Sequence, residues 1–282
     1  KLVIGVSSFC IFYDIIIKNS RYMNLFFVIL LWSSTIFYAY FCFKSISNGN
    51  PFLSANLLES SSTKLKNQFA WYAATMFPFS LSYLMIGKIN FSKILPFIVF
   101  SISIIYLASR GAWIAAFISF PVIIYYLSKI SFKKTFFLSA KIVFCASAVL
   151  IAIIYYLSNY VNLDLILMRF SWIINPIETE VLSGGQLNTL HERTGRLTRG
   201  LNTFYENPFF GKGVYNYACH NDYLTILAET GFSGFLSFVI INIYVFLKIN
   251  KIDMDNFNFY TLGSKGAFAS IFISSMVIDT YR

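Results

Sequence analysis

Three stretches of this chain hold residue types able to do chemistry in places where a purely structural role would not need them. His220 stands at the threshold of an apolar run in "HNDYLTILAETGFSGFL" (220–236), and Arg110 lies between two apolar runs in "YLASRGAWIAAF" (106–117). Arg193 sits near the start of "HERTGRLTRGLNTFYENP" (191–208), a polar stretch that also carries Arg196 and Arg199. An imidazole titrates near neutrality and suits general-base work. A guanidinium presents a forked donor set that matches phosphate. A helix N-terminus beside His220 favours an anion. Together, Arg110, Arg193 and His220 predict a site for an anionic substrate at a membrane surface.

Each residue also has a plainer reading. His220 can be a satisfied structural histidine, with Asn221 or Asp222 capping the following helix. Arg110 can sit at a hairpin tip and snorkel to the interface beside Trp113. Against that, a poorly placed arginine in or near a span costs about 2.5–3.5 kcal/mol, and ionisable groups at such depth are functional candidates by default. Cys219 beside His220 does not make a thiol–imidazole pair, because catalytic partners meet in space rather than as chain neighbours. His191, Arg196 and Arg199 fit a solvated or headgroup-facing surface, with a supporting substrate role left open.

The elements that must position these residues are set by hydropathy. Of the 282 residues 57% are hydrophobic and only 12% charged, where a soluble domain carries about a quarter charged. The mean hydropathy is +0.65. Apolar runs near the bilayer-spanning length of about 20 residues recur throughout. They predict an all-α polytopic membrane protein of about eight spans, at roughly 2–17, 22–43, 69–87, 94–109, 111–128, 136–157, 222–247 and 259–278. The first residue is Lys1, so the chain is expected to be part of a longer protein.

Alternation puts Lys18 with Arg21, Lys88 with Lys93, Lys129 with Lys133 and Lys134, and Lys248 with Lys251 on one side. Short basic connections of this kind face the cytoplasm. Two longer connections then face outward: 44–68, and the polar loop 158–221. The expected division is six spans over 1–157, an extracytoplasmic loop over 158–221, and two spans over 222–282. In the loop, "HERTGRLTRGLNTFYENP" (191–208) reads as a helix that ends before Pro208. Leu197, Leu201 and Phe204 form its apolar stripe, which carries back to Arg193 and leaves Arg196 and Arg199 on the polar side.

The net charge of +10 follows from topology, and no basic patch with interleaved aromatics suggests nucleic acid. Four cysteines without CxxC spacing and two histidines without HExxH give no metal site and no disulfide framework.

"HNDYLTILAETGFSG" (220–234) fits His-Asn, nine residues, Gly-x-x-Gly, and resembles the O-antigen ligase and polymerase superfamily of bacterial envelope enzymes. "SRGAW" (109–113) is similar to that family's membrane-arginine motif. In "ERTGRLTRGLNTFYENPFFGKG" (192–213), Arg193 lies fifteen residues before Pro208, followed by Gly211 and Gly213, as in the family's loop helix. Leu197 stands where relatives often have Trp, and Phe235 where ligases tend to have Thr, which favours polymerase over ligase. The resemblance implies a GT-C-like fold with a large extracytoplasmic loop of short helices, in a glycosyltransferase of the bacterial inner membrane with its site facing the periplasm. It implies an undecaprenyl-diphosphate-linked glycan donor, and a lipid A core or a second lipid-linked glycan as acceptor. His220, Arg193 and Arg110 would be catalytic, with Asn221, Arg196 and Arg199 binding substrate and no cofactor or metal. A flippase of lipid-linked saccharides is the competing class. It would gather polar groups at the bilayer midplane within broken helices, often in repeated halves.

Overall fold

The computed structural model describes residues 20–47, 62–107, 109–129, 136, 187–213, 221–251 and 258–275. Over these the chain is helical, with no strand among the described residues. The helices are α1 (Ser20–Ser47), α2 (Ser62–Met85), α3 (Phe91–Tyr106), α4 (Arg110–Ser128), α5 (Leu187–Glu206), α6 (Asp222–Lys251) and α7 (Phe259–Ser274). Three stretches, Tyr22–Lys44, Gly111–Ser128 and Asp222–Asn250, are long and apolar enough to cross a membrane, and Phe91–Ile105 is a shorter apolar helix. The expected spans at 2–17 and, apart from Phe136, at 136–157 lie outside the described residues, as does most of the loop before α5.

The centre of the bundle is α7 packed against α2 and α4. Small residues set that approach. A Cβ on Gly263 would come within 2.5 Å of the Phe79 ring, and one on Gly266 within 2.8 Å of Pro78 and 2.9 Å of Ile123. Close backbone approach through glycine and alanine is what drives helix association where lipid removes the hydrophobic gain. Ala70, Ala73 and Ala74 on α2 and Ala112 and Ala115 on α4 serve the same end, packed with Phe100, Leu31 and Trp113.

Pro78 lies inside α2 and has no N–H to offer the carbonyl four residues back. That carbonyl, Ala74 O, accepts from Ser270 Oγ of α7 at 3.3 Å. The break in one helix is thus mended by its neighbour, as burial in an apolar medium requires. Other buried hydroxyls turn back on their own helices: Thr35 to Leu31 O, Ser82 to Pro78 O, Ser103 to Val99 O and Ser119 to Ala116 O.

Contacts between helix termini define two ends. At one, Tyr83 meets Phe259 edge-on at 5.0 Å, Lys93 lies over Tyr83, and the Tyr126 hydroxyl donates to Asn250 Oδ1. Lys93 and Lys129 flank these contacts, and Lys248 lies two residues before Asn250, so this is the basic end. At the other, Tyr38 donates to Phe69 O at 2.7 Å, Trp113 Nε1 to Ile104 O at 2.8 Å, and the Asp222 amide to Ser275 O at 2.9 Å.

One expected span forms differently. The segment 222–247 is not a straight rod: Gly231 within α6 has φ 66° and ψ −166°, a region essentially reserved for glycine. Tyr223 and Phe238, fifteen residues apart, have ring centroids 5.7 Å apart. A continuous helix would separate them by about 22 Å along its axis. Residues 222–230 therefore form one arm that folds back against a second arm over 232–251.

Candidate functional site

The N-terminal arm of α6 begins on Asn221. Its Oδ1 accepts the Leu224 N–H at 3.0 Å, and its carbonyl accepts the Thr225 N–H at 2.9 Å, the first helical bond. Asn221 is thus the N-cap, a position that asparagine favours because its side chain satisfies an orphan amide of the first turn. Asp222, next along, is buried (1% exposed). His220 itself lies outside the described residues, so its chain position immediately before this cap is what can be stated of it.

At the other extremity of that arm, the break at Gly231 leaves four backbone groups without helical partners. The carbonyls of Ala228 and Glu229 lose the amides of Phe232 and Ser233. The segment after α5 supplies replacements for all four. Lys212 N–H donates to Ala228 O at 3.1 Å and Gly213 N–H to Glu229 O at 3.0 Å, while Phe232 N–H donates to Pro208 O at 2.7 Å and Ser233 N–H to Phe209 O at 3.3 Å. Ser233 Oγ adds a bond to Phe209 O at 2.8 Å. Buried backbone groups demand this accounting.

The glycines make the joint possible. A Cβ on Gly211, at φ 67°, would fall 2.3 Å from the Glu229 carbonyl carbon, and one on Gly231 would fall 2.5 Å from the backbone of Phe209 and Phe210. Gly234 leaves room for Thr230, whose Oγ1 would sit 2.1 Å from an added Cβ. The Gly-x-Gly after Pro208 and the Gly-x-x-Gly after His220, read separately in the sequence, are two halves of one main-chain joint.

Helix α5 ends at Glu206, one residue before the position that precedes Pro208, as the restriction ahead of proline predicts. Its buried line is rotated from the expected stripe. Gly200 and Thr203 are buried and Arg196 half-buried, whereas Leu197 and Leu201 are exposed at 37% and 41%. Arg196 therefore shares a face with Gly200 and Thr203, at spacings of four and seven, instead of lying on the far side with Arg199. Residue 193 falls on that same line, seven residues before Gly200. Arg199 is exposed, and its Nε donates to Gly195 O at 3.2 Å.

Arg110 is the first residue of α4, directly after Ser109, which is 7% exposed. Trp113, one turn on, is buried at 8% and tied to the last turn of α3. It is a core residue and not a lipid-facing anchor, so that part of the snorkelling picture does not hold. The α3–α4 connection is only three residues, with Leu107 wholly buried. Arg110 stands at the end of the bundle opposite Lys93 and Lys129, as do Asp222 and Ser275.

Among the described residues no group of three histidine, cysteine or carboxylate side chains could hold a metal ion. The reciprocal joint was not foreseeable as such, although the glycine spacing on both sides was its signal.

A family model described as O-antigen ligase matches residues 95–239, just over half of the chain. No curated protein and no solved structure matches.

Proposed function

Because the chain belongs to the O-antigen ligase family, we propose that it is a membrane glycosyltransferase that moves a glycan from undecaprenyl diphosphate to a lipid-linked acceptor. The acceptor is the lipid A core for a ligase, or a growing lipid-linked polysaccharide for a polymerase, and Phe235 after the second glycine of the histidine motif favours the polymerase. The reaction belongs on the extracytoplasmic face of the bacterial inner membrane, with the basic end of the bundle inward. The complete transmembrane set is read as GT-C-like, with about eight spans in this stretch and the loop 158–221 as its catalytic part.

The observation that carries this reading is the reciprocal main-chain joint between 208–213 and the break at Gly231. It couples the helix bearing Arg193 to the helical arm that begins beside His220. Both lie within the matched family region, as does Arg110.

The donor brings its own leaving group, so the protein must orient two glycans and stabilise developing charge. Arg110 and Arg193 bind the diphosphate and offset its charge as the sugar–phosphate bond breaks. His220 accepts the proton of the acceptor hydroxyl as that oxygen bonds to the anomeric carbon, a contribution of about 10²–10⁴-fold. Undecaprenyl diphosphate departs as the anion, and attack from the opposite face inverts the anomeric centre. Asn221 contributes by fixing where the helix begins, which sets His220 at its N-terminus. Arg196, on the buried line of α5, and the more exposed Arg199 make supporting phosphate contacts.

A flippase would leave its broken-helix ends open to substrate. Here the freed groups at Gly231 are taken up by the chain's own backbone, which favours the transferase. The test is complementation of deletion cells with the full-length gene, resolving lipid-linked and surface glycans by gel. His220→Ala should abolish transfer with the protein still in the membrane, and normal envelope glycan in those cells would overturn the reading. In the deletion itself, loss of chain length marks a polymerase, and full-length but unattached polymer a ligase.

A further inference from the structure

At the basic end, far from the residues above, Lys265 is 4% exposed although it lies within α7, six residues from its start. Its ammonium sits 4.0 Å over the Tyr126 ring, and the Lys129 ammonium lies 5.4 Å from the same ring. Two cations thus lie against one ring, and Lys129 is nearer still to Tyr125, at 4.5 Å. Ammonium groups are attracted to a ring face, but a ring does not neutralise two of them. Among the described residues Lys265 makes no ion pair and no hydrogen bond. The carboxylates whose side chains are described, Glu206, Asp222 and Glu229, belong to α5 and to the N-terminal arm of α6, away from this end.

Lys265 lines a cavity of about 380 Å³ between α4, α6 and α7, together with Tyr125, Tyr126, Asn250, Phe246 and Phe268. At about 30 Å³ per water, that is roughly a dozen waters' worth of space. The lining is mostly apolar, with polar atoms from Lys265, Asn250 and the Tyr126 hydroxyl that donates to Asn250 Oδ1. Its apolar part continues along Phe246, Phe268 and Ala269 into a second cavity of about 540 Å³ lined by Phe238, Val239 and Phe272. A charged head with an apolar body fits that shape.

We propose that this cavity is a binding site for an acidic phospholipid at the basic end of the bundle, its phosphate held by Lys265 and Lys129 and its acyl chain laid along α6 and α7. Basic pockets between transmembrane helices suit such headgroups, and an ionisable residue within a span is accommodated by an opposite charge or a polar partner. The proposal is independent of glycan transfer.

The experiment is native mass spectrometry on the full-length protein in detergent, titrated in parallel with phosphatidylglycerol, phosphatidylethanolamine and soluble glycerol phosphate. Phosphatidylglycerol should bind at least about tenfold more tightly than phosphatidylethanolamine. Lys265→Met should erase that preference and Lys265→Arg should keep it. Equal binding of the two lipids, or a preference that survives Lys265→Met, overturns the site. Displacement of the lipid by equimolar glycerol phosphate also overturns it, by making the ligand a free anion. Lys129→Gln, at an exposed position, covers the case in which Lys265→Met does not fold. It should lower the preference several-fold, and no change would count against the proposal.

Discussion

A guanidinium and an ammonium carry the same charge, yet they hold a diphosphate differently. Arg110→Lys keeps the charge at the start of α4 and removes the fork. Transfer should fall at least about tenfold, since the loss of one good charge-assisted contact is worth about 1.4 kcal/mol or more. Rates measured on membranes with matched protein levels check this, and full activity would show that a point charge suffices. Gly231→Ala tests a different kind of necessity. The φ of 66° and the approach of 2.5 Å to the backbone of Phe209 and Phe210 impose both backbone strain and overpacking. A loss on the order of 3 kcal/mol is expected, read as a lower unfolding midpoint in detergent and faster proteolysis between 207 and 213. At this scale the sequence was legible where type and spacing coincide. Asn221 and Asp222 before an apolar run announced a cap, which the structure assigns to Asn221, and the glycine pairs stood out by their spacing. What it did not announce is that each pair completes the other, because main-chain hydrogen bonds across 20 or so residues leave no imprint on side-chain identity.

Between elements, the clearest case is Trp113. As an aromatic beside an arginine near a helix end it reads as an interfacial anchor, but its indole N–H is buried against Ile104 O at 2.8 Å. Trp113→Phe should leave that carbonyl without the donor and cost about 1–3 kcal/mol, measured by thermal unfolding of the purified protein against the parent. No change would mean that another donor reaches Ile104. The loop helix shows a related failure of pattern. Hydropathy alone picks Leu197 and Leu201 for its buried side, whereas the buried face is lined by Gly200 and Thr203, and helices in lipid pack through small residues more readily than through large ones. The same preference explains why α7, with Gly263 and Gly266, is central although its hydropathy is unexceptional.

For the molecule as a whole, the described apolar helices and their order were readable from apolar run lengths, and Lys93, Lys129 and Lys248 meet at one end, although Lys44 closes α1 and Lys64 and Lys66 open α2 at the other. The fold-back at Gly231 was not, because a 26-residue apolar run looks the same whether it crosses the bilayer straight or bends midway. Sidedness yields its own prediction. A single cysteine at Lys129 should be labelled by a membrane-impermeant maleimide only after the cells are opened, and one at Asn207 should be labelled in intact spheroplasts. The reverse pattern would place the loop helix in the cytoplasm and end the glycan-transfer reading. The joint between 208–213 and 228–233 has one last implication. It is built from atoms common to every amino acid, and the rings of Phe209 and Phe210 are left 70% and 83% exposed. The side chains at 209 and 210 are therefore at liberty to be shaped by whatever lipid or sugar passes over them, without loosening the joint they ride on.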